Sequence, residues 1–106
     1  MATSKEYLRF ILDQLSGLDG ITHRAMMGEY IIYYHKRIVG GIYDNRLLIK
    51  PVNAAMELMP NARRELPYEG AKEMLLVEDV DDKDFLSELF IKMYPELPEQ
   101  KGKKNS

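Results

Sequence analysis

Apolar residues recur at helical spacing near both ends of the chain, and between them the pattern breaks into short runs. Tyr7, Leu8, Ile11, Leu12 and Leu15 form one apolar face and predict a helix from about residue 4 to 16. Thr3 with Glu6 matches a capping box at its start, and Gly17 with Asp19-Gly20 supplies the stop. From residue 21 to 50 the runs Ile21–Met27, Glu29–His35, Ile38–Tyr43 and Arg46–Lys50 are separated only by Gly28, Lys36-Arg37 and Asp44-Asn45. That spacing predicts an antiparallel meander and leaves no room for crossover helices. In the second run Ile31 and Tyr33 face one way, and Tyr30, Ile32 and Tyr34 the other. Gly40-Gly41 inside the third run predicts a bulge or the close approach of another element.

The second half repeats the alternation of types. Val52–Leu58 carries helix formers and stops at Pro60, so a short helix is expected. Asn61–Lys72, with Pro67 and Gly70, reads as a charged surface loop, and Glu73–Glu78 as a buried strand. Asp81 or Asp82 is the expected cap of a last helix whose stripe is Phe85, Leu86, Leu89, Phe90 and Met93. Pro95 and Pro98 end it. The order α-β-β-β-β-α-β-α, with helices gathered on one face of the meander sheet, is a two-layer α+β domain. Its expected limits are residues 1–97, followed by a disordered basic tail over 98–106.

Composition narrows the function classes. A chain of 106 residues makes one domain. It has no cysteine, so thiolate nucleophiles, disulfides and Cys-based zinc sites are ruled out, and a reducing cytoplasmic location fits. Neither a signal peptide nor an apolar stretch near the ~20 residues of a membrane span is visible. Net charge is −2, yet Lys101, Lys103 and Lys104 sit in the last six residues, and without them residues 1–100 carry −5. An acidic body argues against a broad nucleic-acid footprint.

Arg24-Ala-Met26-Met-Gly28-Glu-Tyr30 resembles the Arg-x-Met-Phe-Gly-Gly-Tyr signature of the TfoX (Sxy) N-terminal domain family. Asp44-Asn-Arg-Leu-Leu-Ile-Lys50 is similar to that family's Asp-x-x-Leu-Tyr-Leu-Lys strand. Leu66-Pro-Tyr-Glu-Gly70 and Met74–Asp79 resemble its proline-tyrosine loop and final strand. The match runs over roughly residues 5 to 97, with Met27, Glu29 and Leu48 departing from the pattern. The resemblance implies a fold related to secretion chaperones and a role in transcription or natural-competence regulation. Two-domain members add a C-terminal domain where this chain shows a lysine tail.

The candidate interaction residues are Arg24, Met26, Gly28, Tyr30, Tyr33, Tyr34, Asp44 and Lys50. Arg24 has two open roles, a structural pair with an acid such as Asp44 across the sheet or a hold on an anionic ligand at the sheet edge. Tyr30, Tyr33, Tyr34 and Tyr43, with Arg24, Lys36, Arg37, Arg46 and Lys50, suggest a platform for single-stranded nucleic acid. If the first hairpin pivots on Gly28, His23 lies opposite Tyr33 and His35 opposite Ile21, without metal-ligand spacing. The acids from Glu78 to Glu88 lack the pattern of a calcium loop and suit a helix N-terminus. No catalytic set, cofactor or metal is predicted. The resemblance implies a non-enzymatic protein-interaction module, its partner a protein of the transcription machinery or a second copy of the chain. A nucleic-acid-binding accessory domain is the alternative, and a small-molecule sensor or unrecognised enzyme the third.

Overall fold

Two-residue turns and polar caps set the architecture. Met27-Gly28, His35-Lys36 and Asp44-Asn45 all have positive φ at both residues, from +48° to +88°. Each is therefore a type I′ turn, whose twist matches that of paired strands. Three such turns in succession fold residues 21–49 into a continuous meander, β1 (Ile21–Met26), β2 (Glu29–Tyr34), β3 (Arg37–Ile42) and β4 (Leu47–Ile49). The computed structural model describes residues 2–99.

The remaining elements are α1 (Lys5–Gln14), α2 (Asn53–Leu58), β5 (Arg64–Glu65), β6 (Met74–Val77) and α3 (Lys83–Met93). All six strands join one antiparallel sheet in the order β1-β2-β3-β4-β6-β5. The fold is thus the two-layer α+β arrangement expected from the sequence, with one strand added. Arg64 and Glu65, expected in a loop, pair with Leu75 and Met74 as an edge strand. The Arg46–Glu65 ion pair, with Arg46 also donating to the Leu66 carbonyl, ties that edge to the start of β4.

Helix α1 begins at Ser4, whose hydroxyl accepts from the Tyr7 amide at 3.1 Å. Thr3, expected in a capping box, bonds instead to Glu29 and Asn45. Helix α3 begins at Asp82, whose carboxylate accepts from the Phe85 amide at 3.0 Å. It ends at Met93, and Pro95 enters a 3₁₀ turn over Tyr94–Glu96 at a position where its missing N–H costs nothing.

Direct pairing assigns faces. Ile32, Gly40, Ile49 and Leu75 lie in register across the sheet, as do Tyr30, Ile42, Leu47 and Val77. Leu8 and Ile11 of α1, its C-cap Leu15, and Leu86, Leu89, Phe90 and Met93 of α3 join this face in one core. Full burial of each such Leu or Ile stabilises the fold by about 1.5–3 kcal/mol. Glycine is required at position 40, because a Cβ there would lie 2.1 Å from the Leu48 carbonyl oxygen and 2.7 Å from the Ile49 Cα. Next to it, Val39 is the extra residue of a bulge between the Ile32–Gly40 and Tyr33–Ile38 pairs. The two glycines read in the sequence therefore mark both a close approach and a bulge.

Candidate functional site

The core covers the middle of the sheet and takes in only Ile21 of β1. Five of the six β1 residues, Thr22 through Met26, are exposed, and only Ile21 is partly covered. Strand β1 is also the terminal strand of the sheet. The Gly20 carbonyl accepts from the His35 amide at 2.9 Å, which fixes the phase of the β1–β2 ladder. Because antiparallel bonding alternates, Thr22, Arg24 and Met26 bond to β2, while the N–H and C=O groups of Ile21, His23 and Ala25 point away from it. No other described element bonds to these three residues. The domain therefore presents an open edge six residues long, without proline or bulge.

Side chains divide around this edge. Thr22, Arg24 and Met26 share the open face with Tyr33 and Ile31, and Ile21, His23 and Ala25 share the helix-side face. The two-residue turn sets a register in which His23 lies opposite Ile32 and Ile21 opposite Tyr34. The sequence pivot on Gly28 is thus displaced by one residue, because Met27 and Gly28 together form the turn.

Around the β2–β3 end of the edge, Thr22, His23, Arg24, Tyr33, His35, Lys36, Arg37 and Glu99 line an open cradle of about 840 Å³. Arg37 anchors its floor. Its guanidinium lies 4.4 Å from the Tyr94 ring centre and donates to the Tyr94 and Leu97 carbonyls, each at 3.2 Å. The same group pairs with the Glu99 carboxylate at 3.0 Å. Tyr34 and His35 complete an aromatic cluster with Phe90 and Tyr94. Among the described residues Arg24 and Lys36 make no ion pair. Lys36 sits on a type I′ turn at φ +70°, which projects it beyond the strand ends.

The predicted aromatic platform is not assembled. Tyr30 and Tyr34 face the helices, and Tyr34 is 8% exposed. Tyr43 faces the open side but is buried against Gly41 and Tyr68. Burial, followed by Tyr68, the Glu29 carboxylate and Tyr33, raises its phenol above the ordinary 10.0. Only Tyr33 of the four joins the basic cradle.

Asp44 does not pair with Arg24 either. Its amide donates to Glu29 Oε1 at 3.0 Å, and the same oxygen accepts from the Thr3 hydroxyl at 2.6 Å. Thr3 Oγ1 in turn accepts from the Asn45 amide, the Thr3 amide donates to the Gly28 carbonyl, and the Ser4 amide to Asn45 Oδ1. Residues 3 and 4 thus fasten the first and third hairpin turns together. Gly28 occupies the first turn, and Lys50 donates its backbone N–H to the Val39 carbonyl just beyond β4. Of the eight sequence candidates, Arg24, Met26 and Tyr33 belong to the open edge and its face, and Gly28 and Asp44 to the turns. Tyr30, Tyr34 and Lys50 support the sheet and core. Thr3, Glu29 and Arg37 were not legible as positioning residues, since each acts on a partner more than ten positions away.

Pro98 and Glu99, expected in the tail, lie among the described residues, where Glu99 pairs with Arg37, whereas the lysine-rich remainder of that tail, residues 100–106, lies outside them. No helix among the described residues is long and apolar enough to cross a membrane.

No family model matches this chain, and no solved structure matches it. A protein of Spirochaeta aurantia, named as an uncharacterized 12.7 kDa protein in the trpE 5′ region, is 38% identical over 80 residues. The aligned part spans 76% of this chain and 70% of the relative.

Proposed function

We propose that this chain, which belongs to the same family as the Spirochaeta aurantia 12.7 kDa protein, is a non-enzymatic protein-interaction module. Its resemblance to the TfoX N-terminal domain extends the reading to transcription or competence regulation in the cytoplasm. The observation that supports it is β1, a six-residue edge strand exposed on both faces, with an outward backbone row that no other described element pairs. Natural sheets blunt such edges when they have no use for them, with very short strands, bulges, proline or charged side chains, and of these devices β1 carries one, Arg24. The opposite edge, β5, is only two residues long. Affinity capture with the intact protein from its source cell is expected to recover a protein partner in repeated experiments. Recovery of nothing above background would count against the reading.

A nucleic-acid-binding accessory role is the second reading, supported by the open cluster of Arg24, Lys36 and Tyr33. It requires affinity for RNA or DNA that falls log-linearly with salt. No retention of either at low salt eliminates it.

A further inference from the structure

Resting on the interaction-module reading, we infer that the β1 edge binds an extended acidic segment of a partner protein by strand addition, with its carboxylates beside Arg24 and Lys36. Three observations converge. The first is the backbone. Ile21, His23 and Ala25 turn both N–H and C=O outward, a spacing that a new strand satisfies with a regular ladder.

The second is charge. Residues 1–100 carry −5 overall, yet no acid lies between Asp19 and Glu29, and the edge and its cradle hold three cations, Arg24, Lys36 and Arg37, against one acid, Glu99. The carboxylate of Glu29 is held by Thr3 and Asp44 rather than by Arg24. Arg24 and Lys36 have no ion-pair partner among the described residues. A second copy of the chain would bring the same positive groups against this edge. An acidic strand brings the complementary ones and is steered toward it.

The third is the face on which the free charge lies. Glu99, 75% exposed at its side chain, already pairs with Arg37 on the helix side, which leaves Arg24 and Lys36 as the cradle's cations without an ion pair among the described residues. An added strand places every second side chain on the open face, in line with Thr22, Arg24 and Met26. Acidic positions of the partner therefore belong opposite Thr22 and Arg24. An apolar position belongs at the other end, beside Met26 and the almost fully exposed Met27.

The test uses capped peptides alternating valine with glutamate, and valine with lysine, bound to the full chain and read by fluorescence anisotropy. Binding of the glutamate peptide about tenfold tighter than the lysine peptide, together with slowed exchange of the Ile21, His23 and Ala25 amides, supports the assignment. Arg24→Glu, an exposed position without a described partner, should reverse the preference. Ala25→Pro removes an outward N–H without touching the β1–β2 ladder and should abolish binding at an unchanged thermal midpoint. If that variant unfolds, N-methylation of the Ala25 amide in a semisynthetic chain repeats the test.

Equal affinity for both peptides, binding that survives loss of the Ala25 N–H, or no binding at all overturns the assignment. The last result leaves Arg24 as a guard against edge aggregation. Concentration-dependent protection of the same amides without peptide also overturns it, because a second copy then occupies the edge. If the wild type and Ala25→Pro capture the same cellular partner equally, the interaction module stands and the edge assignment alone fails.

Discussion

Replacing Thr3 by Val isolates the device that holds the N-terminus to the sheet. The side chain is 6% exposed, and its hydroxyl donates to Glu29 Oε1 at 2.6 Å and accepts from the Asn45 amide at 3.2 Å. Valine preserves the shape and removes both bonds. A hydrogen bond to a charged group contributes about 1.5–3 kcal/mol, but the Asn45 amide lies at an exposed turn and recovers water, so the net loss is about 2 kcal/mol. For a domain of this size that loss lowers the thermal midpoint by about 8–16 °C. Circular dichroism melts and urea titrations of wild type, Thr3→Val and Thr3→Ser measure it, and the serine variant should retain most of the stability. A double-mutant cycle with Glu29→Gln should give a coupling of about 1 kcal/mol. A Thr3→Val midpoint within about 2 °C of wild type, or strict additivity with Glu29→Gln, would refute the reasoning.

Gly40→Ala should destabilise the domain by about 3 kcal/mol, because the new methyl meets the β4 backbone, which cannot yield as a side chain does. Urea unfolding measures the loss, and faster amide exchange in Leu47–Ile49 locates it. Tyr43 predicts an alkaline effect. Its raised phenol keeps its proton in the fold while the unfolded chain releases one near the ordinary 10.0. Stability is then fully present below that pH and falls as the pH rises through the higher folded value. Tyr43→Phe should flatten the decline in urea titrations above about pH 10, leaving the part due to Tyr7, whose phenol burial also raises.

The architecture was legible because it follows from local periods. The stripes of α1 and α3, the alternation of Tyr30, Ile32 and Tyr34 against Ile31 and Tyr33, and the turn residues Asp44-Asn45 each carry their information within a few positions. Such patterns fix element types and most side-chain directions. Register escaped by one residue at the first hairpin, since two residues rather than one form its turn. The β5 strand escaped because Arg64 and Glu65 have no apolar alternation of their own and pair only where β6 is already laid down.

What the sequence by itself determined is the sequence of elements, the apolar faces and the two-layer class. Only the tertiary structure decided which strand is left open. Strand β1 pairs as regularly as its neighbours, and its exposure comes from a core that packs over β2, β3, β4 and β6 and takes in only Ile21 of β1. It likewise gave Arg37 to the C-terminal segment, Asp44 to Glu29 and Tyr43 to Tyr68, and left Arg24 and Lys36 without ion-pair partners among the described residues. Those allocations depend on distances between residues remote in the chain, and one residue's type does not encode its partner. The exposed edge and its uncompensated charge are consequences of packing, and the proposed recognition follows from them.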